Sequence, residues 1–99
     1  MVKKESGIMK AIWKYSFDLN TTEYAFQIPQ GAKPLHVREQ RGTMCMWLLV
    51  DTEKPKERRI FVIQGTGHEL SIDTDKAVYI GTAFMDSGNF VFHIFEVLK

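Results

Sequence analysis

The chain is defined first by what it lacks. It has 99 residues and a single cysteine, Cys45. One thiol makes no internal disulfide, which fits a reducing cytoplasm. No segment approaches the ~20 consecutive apolar residues of a membrane helix, so no membrane partner is expected. The opening stretch MVKKESGIMK is basic but has no apolar core behind it, so it is not read as a signal peptide. Charge of one sign is missing too. Thirteen Lys and Arg face twelve Asp and Glu, a formal net charge of +1. That is not the strongly basic balance of a dedicated duplex binder, although a local basic patch remains open. No stretch carries a long helical period, and there is no internal repeat or low-complexity segment.

The common catalytic and cofactor motifs are absent as well. The stretch FVIQGTGHELSID contains Gly65, Thr66, Gly67 and His68. A phosphate loop needs G-x-x-x-x-G-K-[ST], and a dinucleotide fingerprint needs G-x-G-x-x-G before a helix. Neither is present. Spaced glycines can still turn backbone N–H groups toward an anion. Glycine is also the default residue where a strand ends sharply. A structural turn is therefore the first reading of GTGH and an anion cradle the second. His36, His68 and His93 have no second ligand at zinc spacing, so no metal site is expected. Cys45 lies in an apolar strand, where a free thiol is ordinarily a small hydrophobe rather than a nucleophile. Glu69, Asp73 and Asp75 match no calcium loop and read as a solvated acidic segment. No catalytic constellation and no cofactor are expected, and the protein is read as a non-enzyme.

What is present is alternation. Apolar residues make up 44% and charged residues 25%, ordinary globular usage that predicts one folded domain. A chain this short buries only ~60–65% of its unfolded surface. Its seven Phe, three Tyr and two Trp compensate, because each aromatic ring buries a large area. Trp13, Tyr15 and Phe17 share one face of a strand; Tyr24, Phe26 and Ile28 share another. Pro29 and Gly31 suit the second and fourth positions of a type I turn. Leu35 and Val37 are expected on one face, with a hairpin tip at Arg41 and Gly42. TMCMWLLVD is apolar on both faces, as is RIFVIQ. TEKPKERR reads as a solvated loop. ELSIDTDK leaves room for one short helical turn at most. AVYIGTAFMD and NFVFHIFEVL flank DSGN, where Gly88 and Asn89 tolerate positive φ. On alternation His93 shares a face with Val91 and Phe95 and reads as a half-buried, hydrogen-bonded histidine. The expected fold is all-β, an antiparallel sandwich or small barrel of about seven strands. Residues 1–9 are expected to be a flexible extension and 10–99 a single β domain. Met9, just before the first expected strand, is read as a candidate translation start, with Met1 as the alternative.

Two strands with two apolar faces exceed what one inner layer can bury. Trp47, Leu49, Phe95 and part of Phe61 and Ile63 are therefore candidates for an interface, most simply a homodimer. The binding candidates on loops are Gly65, Thr66, Gly67, His68 and Glu69, with Arg38, Arg41, Arg58 and Arg59 as a basic set. Lys56 belongs to the same charged loop. Mixed signs there favour a solvated surface, with nucleic-acid contact as the alternative.

The ordered pieces IWKYSF, IPQGAKPLHV, CMWLLVD, GTGHEL, YIGTAF and FVFHIFE resemble a family of small phage and prophage proteins of unknown function. The resemblance runs from about Ile12 to Glu96. It implies a phage-encoded protein working in the cytoplasm of a bacterial host, and it implies no catalytic mechanism. Small phage proteins of unknown role often act by binding, which is an analogy of context. The expectation that follows is an inhibitor that occludes a bacterial host or anti-phage defence protein. The alternatives are a sponge for an anionic nucleotide, held at the GTGH turn with Trp13 or Tyr79 stacking the base, and a nucleic-acid-binding accessory protein.

Overall fold

The computed structural model describes residues 9–98. The expected extension over residues 1–9 falls, up to residue 8, outside the described residues. The chain forms β1 (Lys10–Phe17), β2 (Glu23–Pro29), β3 (Lys33–Gln40), β4 (Thr43–Asp51), β5 (Lys56–Gly65), β6 (Ala77–Met85) and β7 (Phe90–Val97). One 3-10 turn, Thr74–Lys76, precedes β6. Asp73 caps it, its carboxylate accepting the Asp75 amide at 3.0 Å. The expected all-β fold is the fold observed.

Two antiparallel sheets face each other. The smaller has the order β1-β4-β3, the larger β2-β5-β7-β6. Between them lies a core of Phe17, Ile28, Val37, Met44, Met46, Leu48, Val50, Phe61, Ile63 and Ile94, all at most 5% exposed. The edges of the sheets approach where β3 meets β6. A Cβ on Gly81 would lie 2.8 Å from Val37 Cγ2, so only glycine permits that approach. Aromatic rings seal the β1–β2 side. Phe17 meets Tyr24 edge-on at 4.9 Å, and Tyr15 meets Phe26 at 5.3 Å between ring centroids.

The turns follow residue chemistry. Arg41 and Gly42 both take positive φ, 53° and 83°, as a two-residue hairpin with right-handed strand twist requires. The β2–β3 turn starts one residue later than expected. Ala32 N–H donates to Pro29 O, and Gly31, at φ 78°, sits third. That is the position where a type II turn needs glycine. In the β6–β7 loop, Asp86, Ser87 and Gly88 take positive φ, and Asn89 does not.

Three further expectations are corrected. Leu35 does not share the face of Val37. A bulge between Pro34 and His36 turns it out to 47% exposure, while Val37 is 5% exposed. TEKPKERR is not all loop, since β5 begins at Lys56 and pairs with β2 from Pro29 onward. Its charges are tolerated because Arg58 faces outward, the Lys56 ammonium lies over the Trp13 ring and Arg59 finds a carboxylate inside. Phe61 and Ile63 are not surplus apolar surface, because both are buried in the chain's own core.

Arg59 sits on the inner face of β5. Its Nε and Nη2 donate to the two Glu96 oxygens at 2.6 and 2.7 Å, and Nη1 donates to Ala32 O at 2.7 Å. One side chain thus ties β5, β7 and the β2–β3 turn together. The Glu96 carboxylate holds the guanidinium above its already high pKa.

Candidate functional site

The GTGH turn lies at the end of β5, where the strand pair with β7 runs out. Thr66 N–H donates to Val91 O at 3.1 Å, which extends the ladder by one bond. His68 N–H then donates back to Gly65 O at 3.2 Å. Gly67 takes φ 85° at the third position of that turn, a conformation open to glycine at little cost. At Gly65 the reason is contact. An added Cβ would lie 3.0 Å from His68 Nδ1, because the imidazole covers the Gly65 α-carbon.

His93 shares a face with Val91 and Phe95, as expected; that face is the outer one of the larger sheet, with Thr82 on the neighbouring strand. Its Nε2 lies 2.7 Å from Thr66 Oγ1 and its Nδ1 2.8 Å from Thr82 Oγ1. The Thr82 hydroxyl also bonds the Tyr79 hydroxyl. The result is a chain of hydrogen bonds, Thr66–His93–Thr82–Tyr79, drawn from β6, β7 and the turn. A neutral imidazole can donate at one nitrogen and accept at the other, and hydroxyls can serve either role. Both ring nitrogens are occupied, so the ring is held in place. In the sequence Tyr79 stands out only as a ring that could stack, and nothing marks Thr82. Strand parity linked His93 to Phe95, but only the β6–β7 register brings Thr82 beside it.

Beside this chain is a crevice of about 210 Å³ lined by Leu70, Tyr79, His68, His93 and Phe95. That is below the ~300–1,000 Å³ of sites that enclose drug-sized ligands. Two of the turn's amides, those of Thr66 and His68, already have backbone acceptors. The crevice is one hollow in a wider face. Cross-strand rows on it read Val62–Phe95–Tyr79, Ile60–Val97–Ala77, Gln64–His93–Thr82 and Val91–Phe84. These positions contain no Lys, Arg, Asp or Glu. Tyr79 is 54% and Phe84 63% exposed. Tyr79 and Phe95 meet edge-on at 5.5 Å between centroids, a favourable ring geometry. The charged residues of this face, Glu23 and Arg58, stand on β2 and near the start of β5.

The remaining candidates do not gather. Arg38 lies on the outer face of the smaller sheet opposite Cys45, Arg41 at the β3–β4 tip and Arg58 on the larger sheet opposite Gln27. Arg59, expected as an exposed loop group, is turned inward to Glu96, because its alternation parity is that of Phe61 and Ile63. The four arginines form no single patch. Trp47 and Leu49 face out from the smaller sheet, and Phe95 from the larger. Among the nucleotide-stacking candidates, Tyr79 lines the crevice. Trp13 lies on β1, under Lys56 Nζ at 5.9 Å, and is not part of the crevice lining. Among the described residues no group of three or more His, Cys, Asp or Glu is placed to hold a metal ion. Among the described residues no helix is long and apolar enough to cross a membrane.

The family model described as a domain of unknown function, DUF7352, matches residues 9–99. The chain belongs to that family. Comparison of this DUF7352 chain with curated proteins and with solved structures gives no match.

Proposed function

We propose that this DUF7352 protein acts by binding, and that its recognition surface is the outer face of the larger sheet around the GTGH turn. One observation carries the proposal: the part of that face formed by β6, β7 and β5 from Ile60 onward is rich in apolar and aromatic residues and free of Lys, Arg, Asp and Glu, with Tyr79 and Phe84 more than half exposed. Exposed apolar patches of this kind mark interaction sites. Aromatic residues carry much of the energy at protein interfaces. The hydrogen-bonded chain through His93 adds rigidity, which lowers the entropic cost of association. The partner is a protein, and the mode is occlusion. The resemblance to small phage and prophage proteins supports a bacterial host or anti-phage defence component as that partner, met in the host cytoplasm.

A tagged chain should capture one bacterial protein in near-stoichiometric amount. Tyr79→Lys with Phe84→Lys should abolish the capture while circular dichroism stays unchanged. Equal capture by the double variant would refute this surface, and no enriched protein would refute the mode. A second copy is the competing occupant, because an uncharged face can meet itself across a two-fold axis without like-charge contacts. Light scattering at the dimer mass for the parent, and at the monomer mass for the double variant, would assign the face to self-association.

A further inference from the structure

The two outer faces of the sandwich differ in charge. On the smaller sheet the register sets Lys14 and His36 on either side of Trp47, Ser16 and Arg38 on either side of Cys45, and Ile12 and Lys33 on either side of Leu49. Lys10 stands opposite Asp51 at the end of the face, and its charge is offset there. That leaves Lys14, Lys33 and Arg38, all exposed, as the excess. A chain of net charge +1 has therefore concentrated cations on one side of a slab 19 Å thick.

The arrangement explains how β4 can be apolar on both faces. Cys45 points away from the core, bonded weakly to Ser16 Oγ at 3.8 Å, and is still only 1% exposed. Long basic side chains cover apolar neighbours with their stems and keep their charges in water. Trp47 and Leu49 stay half-buried between them. The His36 ring lies beside the Trp47 ring, with centroids 6.4 Å apart and planes at 35°. Strand spacing puts the β1 and β3 cations about 10 Å apart, with the Trp47 ridge between them.

We infer that the outer face of the β1-β4-β3 sheet is a binding platform for single-stranded nucleic acid. Lys14, Lys33 and Arg38 would take phosphates, and Trp47 with His36 would stack a base. Cations flanking an aromatic on an open sheet are what such strands require, since every base has a π-face. A duplex is disfavoured, because a flat face offers no element that enters the major groove. The face is opposite the one proposed for the protein partner, so each inference stands without the other.

The test is anisotropy of a labelled single-stranded oligothymidylate titrated with the full chain, from low to physiological salt. Three phosphate contacts predict a slope of log affinity against log salt of about −2, from ~0.7 per contact. Lys14→Glu with Arg38→Glu should weaken binding at least about ten-fold and flatten the slope toward about −0.7. Trp47→Leu should weaken it about five-fold or more at unchanged slope. If Trp47→Leu disturbs the fold, quenching of Trp47 fluorescence in a Trp13→Phe chain reads the same contact. No binding at low salt overturns the inference, as does charge reversal without effect. Unquenched Trp47, or equal competition by polyglutamate, also overturns it, and would assign the face to acidic proteins instead.

Discussion

Removing one partner of the Arg59–Glu96 pair should be the most damaging exposed-to-buried charge change in this protein. The two side chains are 14% and 12% exposed, and three charge-assisted hydrogen bonds of 2.6–2.7 Å converge on the guanidinium. Glu96→Leu leaves the largely buried guanidinium with the Ala32 carbonyl and only the weaker field of the Glu57 carboxylate. Breaking a buried pair in this way costs about 3–5 kcal/mol. A domain of this length is stable by only about 5–15 kcal/mol. At about 4–8 °C per kcal/mol, the thermal midpoint should fall by at least about 12 °C. Arg59→Met should behave alike, since it strands the carboxylate. The double variant Arg59→Met with Glu96→Leu should recover most of the loss, because no charge is then left buried. A residual cost of about 1 kcal/mol remains for Ala32 O, which loses its donor. Urea unfolding of all four chains closes a double-mutant cycle. If either single substitution costs under about 1 kcal/mol, the remaining charge reaches water and the pair does not hold the β2–β3 turn to the sheet. If the double costs the sum of the singles, the pair is uncoupled and the reasoning fails.

Gly81→Ala should cost about 1–3 kcal/mol by overpacking, since its Cβ would meet Val37 Cγ2 at 2.8 Å. Val37→Ala should then be less harmful in the Gly81→Ala chain than in the parent, and equal costs in a urea cycle would count against the close β3–β6 approach. Thr66→Val should lower stability by about 1 kcal/mol by removing the hydroxyl that meets His93. An unchanged urea midpoint would show that water replaces the hydroxyl at His93. Asp18 and Asp51 are both held below the ordinary carboxylate value, Asp18 chiefly by the Asn20 amide and Asp51 chiefly by the Glu53 amide. A depressed folded-state pKa contributes stability that is complete above the unfolded value of about 3.9 and is lost as pH falls through the folded value. Stability should therefore drop on acidification below about pH 4, and less so for Asp18→Asn or Asp51→Asn. Parallel acid profiles for parent and variants would contradict this.

Much of the fold is legible in the sequence. Trp13, Tyr15 and Phe17 were readable as an inner row because strand side chains alternate with period two. The Arg41–Gly42 tip and the short helical turn near Thr74 were readable from local backbone chemistry. Leu35 was misread because a bulge adds a residue without a compositional mark. Arg59 was misread because charge was weighed above parity, although its place two residues before Phe61 assigns it to the inner face. Of the candidate site, the turn itself was visible and its companions were not. Thr82 and His93 lie on strands joined by a hairpin, and their pairing depends on register.

By itself, then, the sequence determined the class of fold, the number of strands, most inward faces and the glycines at the turns. These rest on alternation and on dihedral limits, which act over a few residues. Only the tertiary structure decided which strands share a sheet. It also decided that Arg59 meets Glu96, that Thr66 meets His93, and that Lys14, Lys33 and Arg38 share the outer face of the smaller sheet. Those outcomes follow from pairing between residues distant in the chain, where strand order and register choose the neighbours.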